Sequence, residues 1–185
     1  MSAADSFHTI LQRVAPSEVQ RQRVATHRDT IATRLKDQFS FYKLLTIGSF
    51  DRGTDIAGES DVDLFAVFRR DAVTWGGSLK TSSTVLDNVR SALEGRLPNT
   101  TIYRDVHAIV VKFSSGVQVD VVPAFFEGMS QDNRFPTYGM PDGNGGWMRV
   151  SPDAHEAYIA AADAQAGGKL RGTARLMKYW RSRRP

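Results

Sequence analysis

The sequence predicts an α+β fold, a mixed central sheet with helices packed on one face. Three observations predict it. Apolar residues recur at helical spacing in two segments, Val24, Ile31 and Leu35, then Val85, Leu86, Val89 and Leu93. They alternate or cluster in short strand-length segments at 42–47, 61–68, 106–113 and 117–122. The order is helix, strand, turn, strand, helix, hairpin, which suits one mixed sheet with helices laid against it. Hydrophobic residues at 41% and charged residues at 24% are ordinary for a globular chain of 185 residues. No run of 18 apolar residues marks a membrane span, and the start MSAADSFHTI lacks the pattern of a signal peptide. Cysteine is absent, which excludes disulfides and thiolate metal sites and is in keeping with a cytoplasmic protein. The net charge of +4 suits anionic substrates, although Arg181, Arg183 and Arg184 supply much of it from a solvated tail.

Residues 1–16 form a short leading helix with Phe7, Ile10, Leu11 and Val14 as its apolar face, ended by Pro16. Ser17 to Gln20 reads as a capping box that opens a helix to about Gln38. Its apolar stripe is expected to cross the back of the sheet. Tyr42 to Ile47 is the first strand, followed by the Gly48-Ser49 turn and a loop from Phe50 to Glu59. Residues 61–68 are the second strand. Arg69 to Lys80 is polar, contains Gly76-Gly77, and reads as a loop. Ser82 to Leu93 is a helix, and Pro98-Asn99 a turn. Val106 to Phe113 and Val117 to Val122 make a hairpin around Ser114-Ser115-Gly116. Gly128 to Trp147, punctuated by glycine and proline, reads as a long loop. Trp147 is expected to anchor that loop in the core. Ser151 and Pro152 cap and start a helix to about Ala166. Gly167-Gly168 is a hinge. Lys169 to Arg183 is the last helix, with Leu170, Ala174, Met177 and Trp180 facing inward. His8, His27, His107 and His155 are scattered and read as surface or core residues.

The chemistry concentrates between Leu44 and Val67, LLTIGSFDRGTDIAGESDVDLFAV. Side chains alternate along a strand, so Asp61 and Asp63 point the same way, starting about 7 Å apart. That separation suits one divalent ion, or two ions roughly 3.5–4 Å apart. Val62, Leu64, Ala66 and Phe68 form the opposite, core face. Asp120, in VQVDVVP, is a charge among apolar strand neighbours, a costly position that a cation would relieve. Gly48 lets the backbone approach a phosphate closely. A helix starting near Ser49 would aim free N–H groups at that anion, and the Ser49 hydroxyl adds a donor. Arg52 either touches a phosphate or is an exposed loop arginine.

Gly48-Ser49, eleven intervening residues, Asp61-Val62-Asp63 and the distant Asp120 together resemble the pattern of the polymerase-β-like nucleotidyltransferase superfamily. GSFDRGTDIAGESDVDL, VDVVPA, Gly145-Gly146-Trp147 and RLMKYW at 175–180 are similar to one branch of it. That branch holds the bacterial cGAS/DncV-like nucleotidyltransferases and the oligoadenylate synthetases. The resemblance implies a polymerase-β-like nucleotidyltransferase fold. It implies two Mg²⁺ ions, replaceable by Mn²⁺, held by the catalytic Asp61, Asp63 and Asp120. Nucleoside triphosphates such as ATP and GTP would be bound by Gly48, Ser49 and Lys178, the last as a triphosphate-binding lysine, with Arg52 added if it is the phosphate contact and not an exposed loop arginine. The implied reaction joins nucleotides into a cyclic or linear oligonucleotide messenger for anti-phage signalling, with release of pyrophosphate. An activating protein or nucleic acid is left open. Two other readings stand beside it: nucleotide transfer onto a protein, an RNA end or a small molecule, and a catalytically silent nucleotide-binding module. By the same resemblance, residues 1–166 are the catalytic domain. Residues 167–185 would be the first helix of a helical second lobe, so the chain reads as cut short.

Overall fold

The first helices arise from the signals that mark them in the sequence. In the computed structural model α1 spans Ala3–Val14 and α2 spans Glu18–Gln38. The Ser17 hydroxyl accepts from the Gln20 N–H at 3.3 Å, and the Gln20 side chain accepts from the Ser17 N–H at 2.8 Å. The capping box is therefore complete, and the buried stripe of α2 is Val24, Ile31 and Leu35 as its spacing requires. The structure describes residues 3–58, 61–97 and 100–184. The Pro98-Asn99 turn and the loop end at Glu59 lie outside them.

Strand β1 (Phe41–Ile47) leads into a single helical turn, α3 (Gly48–Asp51), and the chain returns as β2 (Val62–Phe68). The expected loop at 69–80 is more ordered than its composition suggests. A 3-10 turn at Arg70–Val73 precedes a small hairpin, β3 (Thr74–Trp75) and β4 (Ser78–Leu79). Gly76 and Gly77 sit at φ 57° and 82°, so the glycines make a two-residue turn between paired strands. Helix α4 (Ser82–Glu94) buries Val85, Leu86, Val89 and Leu93. Strand β5 (Thr101–Arg104) follows, which the sequence pattern did not reveal. Then come β6 (Ile109–Lys112) and β7 (Gln118–Met129).

The expected loop at 128–147 is instead the end of β7 and two further strands, β8 (Pro136–Pro141) and β9 (Trp147–Val150). Its glycines and prolines have work inside the sheet. A Cβ at Gly139 would stand 2.6 Å from the Phe125 ring, so the small residue makes room for a core aromatic. Helix α5 (Pro152–Gln165) starts where expected. The Ser151 hydroxyl, however, donates to the Pro136 carbonyl at 2.8 Å instead of capping the helix. Gly167 and Gly168, both at positive φ, connect it to α6 (Leu170–Ser182). No helix among the described residues is long and apolar enough to cross a membrane.

The sheet order is β1-β2-β7-β6-β5, with β8 paired to β7 and β9 to β8. Only β2 and β7 run parallel; the other pairs are antiparallel. One face packs Leu64, Ala66, Phe68, Val119 and Val121 against Ile31, Leu35, Leu86 and Leu93 of α2 and α4. The other face carries a second cluster, Phe65, Val67, Val122, Ala124 and Tyr138. Asp63 and Asp120 lie at the end of that second face.

Candidate active site

Parallel pairing of β2 with β7 builds the centre of the site. Asp63 is the register partner of Asp120, and neighbouring strands stand about 4.8 Å apart. Asp61 immediately precedes β2. All three carboxylates line a cavity of about 480 Å³ together with Ser49, Lys178 and Arg181. A second cavity of about 660 Å³ shares Asp63 with it. Gly48, Asp51 and Arg52 form part of that second wall, over an apolar floor of Leu45, Phe65 and Met140. The structure thus brings every residue singled out in the sequence to one region. Gly48 and Arg52 line one of the two cavities that share Asp63, and Ser49 and Lys178 the other.

The helix expected to open at Ser49 is one turn long. It closes through the Arg52 N–H on the Gly48 carbonyl at 3.2 Å and the Thr54 N–H on the Ser49 carbonyl at 2.9 Å. Gly48 has φ +73°, and a Cβ there would overlap the Asp63 carboxylate. The glycine is needed because the turn must pass directly against the acid.

The carboxylates carry the electrostatic cost of their placement. Burial first, and then the charges of Asp61, Asp63 and Asp105, raise the Asp120 pKa to about 6, against a hydrogen bond from Gln118 that lowers it. That bond, Gln118 Nε2 to Asp120 Oδ1 at 3.2 Å, corrects the sequence picture of a carboxylate with only apolar neighbours. Asp63 is raised by burial and by Asp61, and held down by Arg52 and Lys178. Asp61 is raised by burial and eased by Lys112. Lys178 is lowered by burial and by Arg52, against the pull of Asp55 and Asp63. An excess of negative charge on the strands therefore faces a smaller positive group on α6 and the loop after α3.

Helix α6 is turned differently from the sequence expectation. Met177 and Trp180 are 56% and 51% exposed. Leu170 and Ala174 are half-buried as expected, and α6 lies against α1, where Gly172 comes close to Leu11, while Arg171, Arg175 and Lys178 are also turned inward. Arg175 Nη2 reaches Asp55 Oδ1 at 3.5 Å, and the Asp55 side chain is 2% exposed. Arg171 meets Glu156 at 2.7 Å and Asp163 at 3.6 Å. The sequence reading missed these pairs. The available signal was the spacing 171, 175, 178, one stripe of a helix. Trp147 does anchor in the core, on strand β9, through its Nε1–H to the Lys80 carbonyl at 2.9 Å and an edge contact with Phe125.

The donor set fits a hard divalent cation: three carboxylates, no thiol or imidazole, in mutual repulsion that a cation would relieve. Among the described residues no three acidic or histidine side chains already converge into a closed cage.

A model of the Second Messenger Oligonucleotide or Dinucleotide Synthetase (SMODS) domain matches residues 1–162. The chain belongs to the SMODS family. This SMODS chain is 25% identical over 171 residues to a probable cyclic nucleotide synthase of Bacillus cereus strain VD146, covering 77% of the chain and 50% of that relative. Its fold is similar to that of the E. coli MS115-1 CdnC:HORMA-deltaN complex, with TM-score 0.66 and 20% identity over 95% of this chain and 55% of that one. It is also similar to the Elizabethkingia meningoseptica CdnE cyclic dinucleotide synthase with GTP and Apcpp. There the TM-score is 0.66 and the identity 18%, over 86% of this chain and 59% of that one. The SMODS chain spans about half the length of the relatives it matches. Its fold is the polymerase-β-like nucleotidyltransferase fold.

Proposed function

We propose that this chain carries the catalytic centre of a nucleotidyltransferase that joins nucleoside triphosphates into a cyclic or linear oligonucleotide messenger. The observation that carries the reading is the facing of Asp61, Asp63 and Asp120 by Ser49 and Lys178 across one cavity, in a chain of the SMODS family. Asp61, Asp63 and Asp120 are the residues to hold divalent metal, two Mg²⁺ or Mn²⁺ ions. Bound there, the metal would neutralise phosphate charge and lower the pKa of the attacking hydroxyl. The Gly48-Ser49 turn and Lys178 hold the β- and γ-phosphates, with Arg52 beside them. The acceptor hydroxyl oxygen bonds to the α-phosphorus as the bond from that phosphorus to the β-phosphate bridging oxygen breaks. Pyrophosphate leaves. The hydroxyl proton passes to Asp120 as general base. Supplies of ATP and GTP place this work in the cytoplasm, and the messenger reading implies a role in anti-phage signalling.

The test is incubation with labelled ATP, GTP, CTP and UTP plus Mg²⁺ or Mn²⁺, followed by separation of products. A phosphatase-resistant product is expected, and Asp61→Asn/Asp63→Asn should abolish it while leaving the fold intact. Equal turnover in that variant would sink the assignment. Labelling of an added RNA with no product from nucleotides alone would favour transfer to an RNA end instead.

A further inference from the structure

A second feature lies at the end of the sheet away from Asp63. Phe68 is five positions along β2 from Asp63, about 17 Å at the rise of a strand. There a cavity of about 490 Å³ is lined by Tyr42, Lys43, Arg69, Arg70, Phe126 and Tyr138, among others. No carboxylate lines it. Tyr42 is 58% and Phe126 48% exposed, on two different strands. Lys43, Arg69 and Arg70 make no ion pair with any described residue. They rest over aromatic rings instead: Lys43 Nζ is 5.7 Å from the Tyr42 centroid and 5.6 Å from that of Tyr138. Arg69 lies 5.9 Å from the Tyr42 centroid and Arg70 5.5 Å from that of Phe125.

Exposed rings call for a flat apolar partner, and three unpaired cations call for anions. A base with its phosphate supplies both. Such grooves, a basic track with rings for successive bases, are how proteins hold unpaired strands. Two exposed rings and three cations exceed what one nucleotide uses. We propose that this cavity binds a short single-stranded oligonucleotide, with bases against Tyr42 and Phe126 and phosphates on Lys43, Arg69 and Arg70. The inference does not depend on the catalytic reading, since none of these side chains lines either cavity at the carboxylates.

The test titrates the 185-residue chain with fluorescein-labelled single-stranded oligoadenylate, and separately with Mg·ATP. Arg69→Gln/Arg70→Gln should weaken oligoadenylate binding about tenfold or more and flatten its log–log salt dependence by about 1.4. Arg69→Lys/Arg70→Lys should restore the salt dependence. Tyr42→Ala/Phe126→Ala should weaken binding about fivefold or more with the salt dependence kept. Mg·ATP affinity should be unchanged in every one of these variants, and excess Mg·ATP should not displace the oligonucleotide. The proposal is overturned if either Arg69→Gln/Arg70→Gln or Tyr42→Ala/Phe126→Ala binds oligoadenylate like the wild type. It is equally overturned if Mg·ATP competes it away, or if anionic phospholipid vesicles bind through these residues and oligoadenylate does not.

Discussion

Asp120 is held in an environment at odds with its charge. Its carboxyl titrates near 6 when folded, above its value in an unfolded chain. Between those two values the folded state holds the extra proton, so stability falls as pH rises through that window. The penalty is absent below the unfolded pKa and complete above the folded one. Its full size is about 3 kcal/mol, which solvent screening at this half-buried site reduces to roughly 1 kcal/mol. In the absence of divalent metal, Asp120→Asn should therefore be the more stable protein at neutral pH by about that amount, with the gap closing towards pH 4. The same variant should lose turnover. Matching thermal melts at neutral pH would contradict this account. Gly48→Ala tests the neighbouring turn. It places a Cβ on the Asp63 carboxylate and forces φ +73° on an L-residue. A loss of about 2 kcal/mol is expected in urea titrations, together with a drop in kcat as Asp63 is pushed aside. Asp61, Asp63, Asp120 and Gly48 were readable from sequence because strand alternation and a turn glycine are local properties. Asp55 was not, because its burial depends on where a helix far along the chain comes to rest.

At the level of elements, α6 is joined to the loop after α3 by one ion pair, Arg175 to Asp55. The pairing is incomplete: Asp55 Oδ2 and Arg175 Nε are both buried without a hydrogen-bond partner. Arg175→Met should cost about 3 kcal/mol, since it strands a buried carboxylate. It should also raise KM for the nucleotide more than it lowers kcat, because Lys178 stands one turn further along the same helix. Unfolding titrations and steady-state kinetics would check the two parts, and an unchanged KM would remove Arg175 from any role in placing Lys178. The capping box of α2 and the apolar stripes of α2 and α4 were legible at this scale, since caps and periodicity belong to a single helix. Strands β8 and β9 were not. Gly139 reads as a loop residue until the Phe125 ring beside it is known, and Pro136 and Pro141 sit at the strand ends where a missing N–H is tolerated. The facing of α6 was misjudged for a related reason. Its ion pairs with Asp55, Glu156 and Asp163, on other segments, share in setting its facing.

For the whole molecule, β7 is the shared spine. Its first part pairs with β6 and its second with β8, and Pro123 falls between the two ladders, where no partner on that side needs its N–H. Along its other side it pairs with β2 from Val119 to Phe125. That parallel ladder joins segments far apart in the chain, and pairings of this kind form slowly. Asp63 and Asp120 become neighbours only when it closes. No partly folded chain therefore owns a binding centre. In stopped-flow refolding, recovery of Mg·ATP binding should coincide with the final folding phase and never precede it. Mg·ATP should also slow unfolding while leaving the refolding rate unchanged, because the centre it grips is absent until the barrier has been crossed. For this chain, nucleotide would act as a kinetic lock, set last on folding and released first on unfolding.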